Sequence, residues 1–96
     1  MDPSGGITVE VRVELKPGVA DAEALAIEKS LTLLGVNGLR GVRTVRVYRL
    51  TFGSSDPDEA LRQARLAVDR LLANPVIHQV EIRAVGSPSA RTSRAV

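Results

Sequence analysis

From Ile7 to Lys16 apolar and polar side chains alternate without a break: Ile7, Val9, Val11, Val13 and Leu15 fall on one face, and Thr8, Glu10, Arg12, Glu14 and Lys16 on the other. A period of two predicts a strand with one buried and one wet face. Pro17-Gly18 breaks the pattern, Asp21 is placed to cap a helix, and Ala24, Ile27, Leu31 and Leu34 then recur at helical spacing up to Gly35. This predicts an amphipathic helix over 21–34. Gly35, Gly38 and Gly41 punctuate a loop and, with no strand-Gly-helix context around them, carry no nucleotide fingerprint.

A second strand is predicted over 42–52, and its alternation changes phase part-way. Val45 and Val47 point one way, Leu50 and Phe52 the other. The switch predicts a bulge or bend near Tyr48-Arg49, or a strand whose two halves face different partners; a strand covered on both faces reads the same way. After the turn Gly53-Ser54-Ser55, Asp56-Pro57-Asp58-Glu59 reads as a helix start, with Asp56 as cap, Pro57 at the first helical position and Glu59 closing a capping box. Leu61, Ala64, Val68, Leu71 and Leu72 make one stripe, opposite Arg62, Arg65, Asp69 and Arg70.

At Leu71-Leu72-Ala73-Asn74-Pro75-Val76-Ile77 the helical period is cut off and replaced by a period of two. Asn74 can take the left-handed conformation that ends a helix, and Pro75 cannot extend one because it lacks an N–H. A last strand follows, with Val76, Val80, Ile82 and Ala84 on one face. Strand, helix, strand, helix, strand predicts an α+β fold, β-α-β-α-β, or βαββαβ if the long middle strand is split. One sheet would carry two helices on one face, with dimerisation through the sheet. Residues 7–85 read as a single domain, between a disordered segment at 1–6 and a mobile polar tail at 86–96.

Composition narrows what such a domain can do. A chain of 96 residues builds a thin core, and this one has no cysteine and a single histidine, His78, so neither disulfides nor a transition-metal site is available to reinforce it. Self-association is the remaining stabiliser. The net charge is +2, and two of the basic residues, Arg91 and Arg94, lie in the tail. With a near-neutral body and Tyr48 and Phe52 as the only aromatics, no nucleic-acid interface is expected. No apolar run reaches a membrane span and the first residues lack a signal peptide's regions, so a soluble, cytoplasmic protein is expected.

Candidate chemistry is sparse. Asp56, Asp58 and Glu59 could be imagined as a metal or acid/base cluster, but helix capping accounts for all three. No Ser, Cys or Asp is placed by sequence to make His78 a base, so a structural role on the apolar face or at a subunit boundary is expected. Arg43 and Arg49 project together and Arg46 projects with Tyr48; their guanidinium groups suit a small anion or an acidic partner surface, or form a solvated face. No catalytic, cofactor-binding or metal residue is assigned. Arg46, Tyr48, Arg49 and Phe52 are candidate partner or dimer contacts, and Asp56, Pro57, Glu59, Asn74 and Pro75 are structural.

Four stretches together resemble the PurS family, a subunit of phosphoribosylformylglycinamidine synthase (formylglycinamide ribonucleotide amidotransferase): 13–19 with Asp21; 26–31 with Leu34-Gly35; 42–47; and Leu71 to Ile77. The resemblance spans about residues 7–84 and implies a non-catalytic, typically dimeric small subunit in de novo purine biosynthesis. Such a subunit supports assembly of a PurQ-type glutaminase with a PurL-type synthetase, and ammonia transfer between them, in a ligase complex whose ATP and magnesium are used by the large partner. The chain departs from the family's usual pattern at Asp21-Ala22-Glu23-Ala24, where relatives usually carry Pro and Gly after the Asp, and at Tyr48-Arg49, where Gly-Lys is usual. The rival reading from the same element order is a small regulatory ligand-binding module similar to ACT domains.

Overall fold

The structure is a computed structural model that describes residues 6–85. The segment and tail expected at 1–5 and 86–96 lie outside the described residues. Gly6, expected to be disordered, is buried against the sheet, where a Cβ would lie 2.8 Å from the Phe52 carbonyl oxygen. The elements are β1 (Ile7–Leu15), α1 (Ala22–Leu33), β2 (Val45–Phe52), α2 (Pro57–Ala67), a single π-helical turn (Val68–Leu72) and β3 (His78–Ala84).

The three strands form one antiparallel sheet in the order β2-β1-β3. The strand that is central in sequence is therefore an edge strand in space, and it is not split. Its pairing runs without slip from Ile7 opposite Phe52 to Glu14 opposite Val45, so the bulge expected near Tyr48-Arg49 is not there. The phase change lives in the side chains: Tyr48, Leu50 and Phe52 pack with the core, whereas Val45 and Val47 sit on the opposite face. The backbone alternates regularly along the whole strand, with Val45 and Val47 on one face and Arg46, Tyr48, Leu50 and Phe52 on the other.

The connection from β2 through α2 to β3 joins two parallel strands across β1, and this lays α2 over β1 and β3. The core is Val9, Val11 and Val13 beneath Ala60, Ala64 and Val68. Ala60 and Ala64 have no exposed surface, and their small side chains let the helix backbone lie close to the strand. The other connection joins antiparallel neighbours and holds α1 less closely. Only Ala24 of that helix is buried, and of the expected stripe Ile27, Leu31 and Leu34 none is. The helix layer over the sheet is thus formed within one chain mainly by α2.

Helix ends follow local chemistry. Gly35, at φ +95°, closes α1 in a Schellman arrangement, with Val36 N–H donating to the Leu31 carbonyl at 3.0 Å and Gly35 N–H to that of Thr32 at 3.2 Å. Asp56 caps α2 by accepting from Asp58 N–H at 3.0 Å, with Pro57 in the first turn. Glu59 does not close the expected capping box. The Asp56 N–H already donates to Ser54 Oγ at 3.0 Å, which leaves the Glu59 carboxylate to hold Arg62 and, at 3.1 Å, Gln63 one turn on.

The π turn corrects the second helix stripe. Ala73 N–H donates to the Val68 carbonyl five residues back, at 3.3 Å, so one more residue is wound into this turn than an α-helix admits. Leu72 and Ala73 meet the core while Leu71 swings out to 83% exposure. Val76, expected on a face of the last strand, lies before β3 and is 76% exposed.

Candidate functional site

Three surfaces carry the polar and apolar groups that the core does not use. The first is the face of the sheet opposite α2, where side chains pair across strands. Glu10, at the centre, meets Arg49 of β2 at 3.1 Å and Arg83 of β3 at 3.5 Å; Arg12 meets Glu81 at 3.7 Å; Glu14 meets Arg43 at 3.9 Å and accepts from Gln79 at 2.7 Å. At one end Thr8 and Thr51 share a hydroxyl hydrogen bond of 3.0 Å. Exposed pairs of this kind contribute at most about 1 kcal/mol each. They fix register and keep this face polar.

The second group is apolar and comes from β2 and α1. Val45 and Val47 stand on the charged face of the edge strand, and α1 with the following loop exposes Ile27, Leu33, Leu34 and Val36. The start of this helix is tied to the start of β2 by Asp21. Its Oδ1 accepts from Ala24 N–H at 2.9 Å, and its Oδ2 accepts from the Thr44 hydroxyl at 2.8 Å and the Thr44 N–H at 3.3 Å. The Ala24 N–H first, then the Thr44 hydroxyl and amide, hold the carboxyl below its ordinary value against the opposing effect of partial burial. A depressed folded-state value stabilises the fold above the unfolded value of 3.8 and is lost as pH falls through the lowered value. Asp21→Asn should therefore lower the melting temperature at pH 7, and thermal scans near pH 3 (about one unit below the ordinary carboxyl value) should bring the two proteins closer together. An equal gap at both pH values would refute the tie's ionic character.

The third surface is the turn between the π turn and β3. Asn74 does not end the helix in the left-handed conformation, since among the described residues only glycines have positive φ. It ends it by hydrogen bonding. Asn74 Oδ1 accepts from Val76 N–H at 2.9 Å, the Asn74 carbonyl accepts from His78 N–H at 2.8 Å, and the Asn74 N–H donates to His78 Nδ1 at 2.9 Å. An accepting Nδ1 requires the neutral ring with its proton on Nε2. His78 is thus committed to the turn. Lys16 N–H donates to the Ile77 carbonyl at 2.8 Å and fastens the turn to the end of β1.

The contact residues predicted from sequence are not gathered at one place. Tyr48 and Phe52 are half-buried beside the core. Arg49 is engaged by Glu10 on the opposite face. Arg46 is on the core side of the sheet, opposite Val13, and lines an open cavity of about 350 Å³ with Leu15, Asp21, Thr44 and His78. Sequence reasoning missed the Asp21–Thr44 tie, which spans 23 residues with no local signal, and the uncovered apolar surface, whose one signal was the phase change in β2. No group of three or more His, Asp or Glu among the described residues is placed to hold a metal ion, and none of the described helices is long and apolar enough to cross a membrane.

The model of the family described as PurS, phosphoribosylformylglycinamidine (FGAM) synthase, matches residues 8–86. The phosphoribosylformylglycinamidine synthase subunit PurS of Archaeoglobus fulgidus is 42% identical over 73 residues, covering 76% of this chain and 91% of that protein. The crystal structure of Methanocaldococcus jannaschii PurS, described as one of the subunits of formylglycinamide ribonucleotide amidotransferase in the purine biosynthetic pathway, superposes with a TM-score of 0.75 at 29% identity, over 83% of this chain and 96% of that one. A chain of the PurLQS structure from Thermotoga maritima superposes with the same TM-score at 21% identity, over 83% of this chain and 98% of that one, and shares the fold.

Proposed function

The chain belongs to the PurS family, the small subunit of phosphoribosylformylglycinamidine synthase, and on that premise we propose that it acts as a non-catalytic assembly subunit in purine biosynthesis. Its partners would be a PurL-type synthetase and a PurQ-type glutaminase in the cytoplasm. The synthetase would use ATP and magnesium, and this chain would support docking and ammonia transfer without holding a cofactor. The observation that carries this reading is where the side chains are spent. The one histidine is committed to a turn, the charged face pairs internally, and apolar side chains of α1 and β2 stay exposed among the described residues.

That surface is best explained by a second copy of the chain. An edge strand presents unpaired backbone groups, and natural edges are covered, charged or paired. β2 is an edge that exposes Val45 and Val47, and self-association along β2 and α1 would bury these valines together with the exposed side chains of the helix. The assembly reading is tested by mixing the purified chain with the glutaminase and synthetase of the same organism and weighing the products by native mass spectrometry. A ternary complex containing the chain is expected. A mixture in which the chain stays free with both partners present would overturn the proposal.

A further inference from the structure

We propose that Leu71, Pro75 and Val76 form a preorganised docking knob for an apolar segment bearing carboxylates on a larger subunit of the synthase complex, an inference that rests on the assembly reading above. All three residues are exposed, Leu71 and Val76 at 83% and 76%. Exposed large apolar side chains grouped within six residues of chain suit contact with a partner. Here the exposure is produced by identifiable devices. The π turn rotates Leu71 out of the stripe that would otherwise bury it, and the hydrogen bonds of Asn74 to Val76 and His78 fix the loop that carries Pro75 and Val76. Lys16 N–H, bound to the Ile77 carbonyl, clamps the same loop to the central strand. A knob held this way loses little conformational freedom on binding, and that is what raises affinity per contact.

Charge selects the partner's chemistry. Beside the knob lies an open cavity of about 410 Å³ lined by Val68, Ala73, Pro75 and Val80, with Lys16 and Arg65 on its walls. Arg70 precedes Leu71 in the same turn, and none of these three cations is ion-paired among the described residues. Asp69 is the one carboxylate on the lining. An apolar floor with an excess of free cations fits an apolar segment flanked by Asp or Glu. The knob leads into β3, one edge of the sheet, whereas Val45 and Val47 belong to β2, the other edge.

The test uses the full chain carrying Leu71→Ser with Val76→Ser, and separately Lys16→Glu with Arg65→Glu, titrated against the synthetase and the glutaminase singly and together. The serine variant should keep its fold by circular dichroism and its self-association by native mass, while binding to one of the larger subunits weakens about tenfold or more, as expected for the centre of an interface. Wild-type binding to that subunit should weaken between ~50 and ~300 mM salt, and the glutamate variant should bind more weakly and lose this dependence. Wild-type affinity of the serine variant for both subunits would overturn the knob while leaving the assembly reading intact. So would a serine variant that loses self-association, since the patch would then belong to the contact between copies. Failure of the wild-type chain to bind either subunit would instead remove the assembly reading on which the knob depends.

Discussion

Val47→Glu should turn the self-associated form proposed for the chain into monomers that remain folded. Val47 lies on the charged face of β2 opposite Arg12, and it is 45% exposed in the single chain. A glutamate there meets a guanidinium and removes no core contact, so the fold of one chain should be indifferent to it. At a two-fold contact the same substitution counts twice and places two carboxylates where two valines were buried. Losing two such burials costs about 3 kcal/mol or more, which weakens a dimer by about two orders of magnitude. Native mass spectrometry and sedimentation should show the shift at micromolar concentration, with an unchanged far-ultraviolet circular dichroism spectrum. A variant that keeps the wild-type mass would place self-association on another surface.

The second large effect is expected inside the chain. Ala64→Leu inserts a branched side chain where α2 meets β1 with no free space, at a residue of zero exposure facing Val9, Val11 and Val13. Overpacking of this kind costs about 1–3 kcal/mol, and in a domain of this size each kcal/mol lowers the melting temperature by about 4–8 °C. Ala22→Leu, in the exposed first turn of α1, is the control and should stay within about 0.5 kcal/mol of wild type. If both variants melt together, α2 does not press on the sheet as described.

How much of this could be read beforehand depends on how local its cause is. The alternation of Ile7 to Leu15 was legible because a strand under a helix layer must bury every second side chain, and Val9, Val11 and Val13 are the centre of the core. The starts of both helices were legible because Asp21 and Asp56 act on amides two or three residues away. The strand order was not, since nothing local in Val45 to Phe52 says that it ends at an edge. Nor was the π turn: Leu71 fits the helical stripe in sequence, and a single wider turn removes it. Asn74 and Pro75 read correctly as a stop for the wrong detailed reason, because the side-chain amide and His78 do what a left-handed backbone would otherwise do.

The candidate contacts show the same limit. Arg46, Tyr48, Arg49 and Phe52 were grouped by their neighbourhood in sequence, yet the pleat sends Arg49 to one face and the other three to the opposite one. Aromatic side chains that would suit an interface instead finish a core too small to close over them with aliphatic groups alone. The aliphatic side chains that stay exposed on α1, and the two valines that broke the alternation, are the ones proposed above for self-association. The phase change marks two valines, Val45 and Val47, that the core of one chain leaves exposed.

The central claim is that this chain contributes surfaces to a synthase whose chemistry lies in its partners. It is tested most directly by measuring glutamine-dependent conversion of formylglycinamide ribonucleotide to the amidine by the synthetase and glutaminase, with ATP and magnesium, with and without added chain. Activity should rise with added chain, saturate at a fixed stoichiometry, and stay low with either the Val47→Glu or the Leu71→Ser/Val76→Ser protein in its place. Full glutamine-dependent activity from the two larger subunits alone, unchanged by the chain at any concentration, would contradict it.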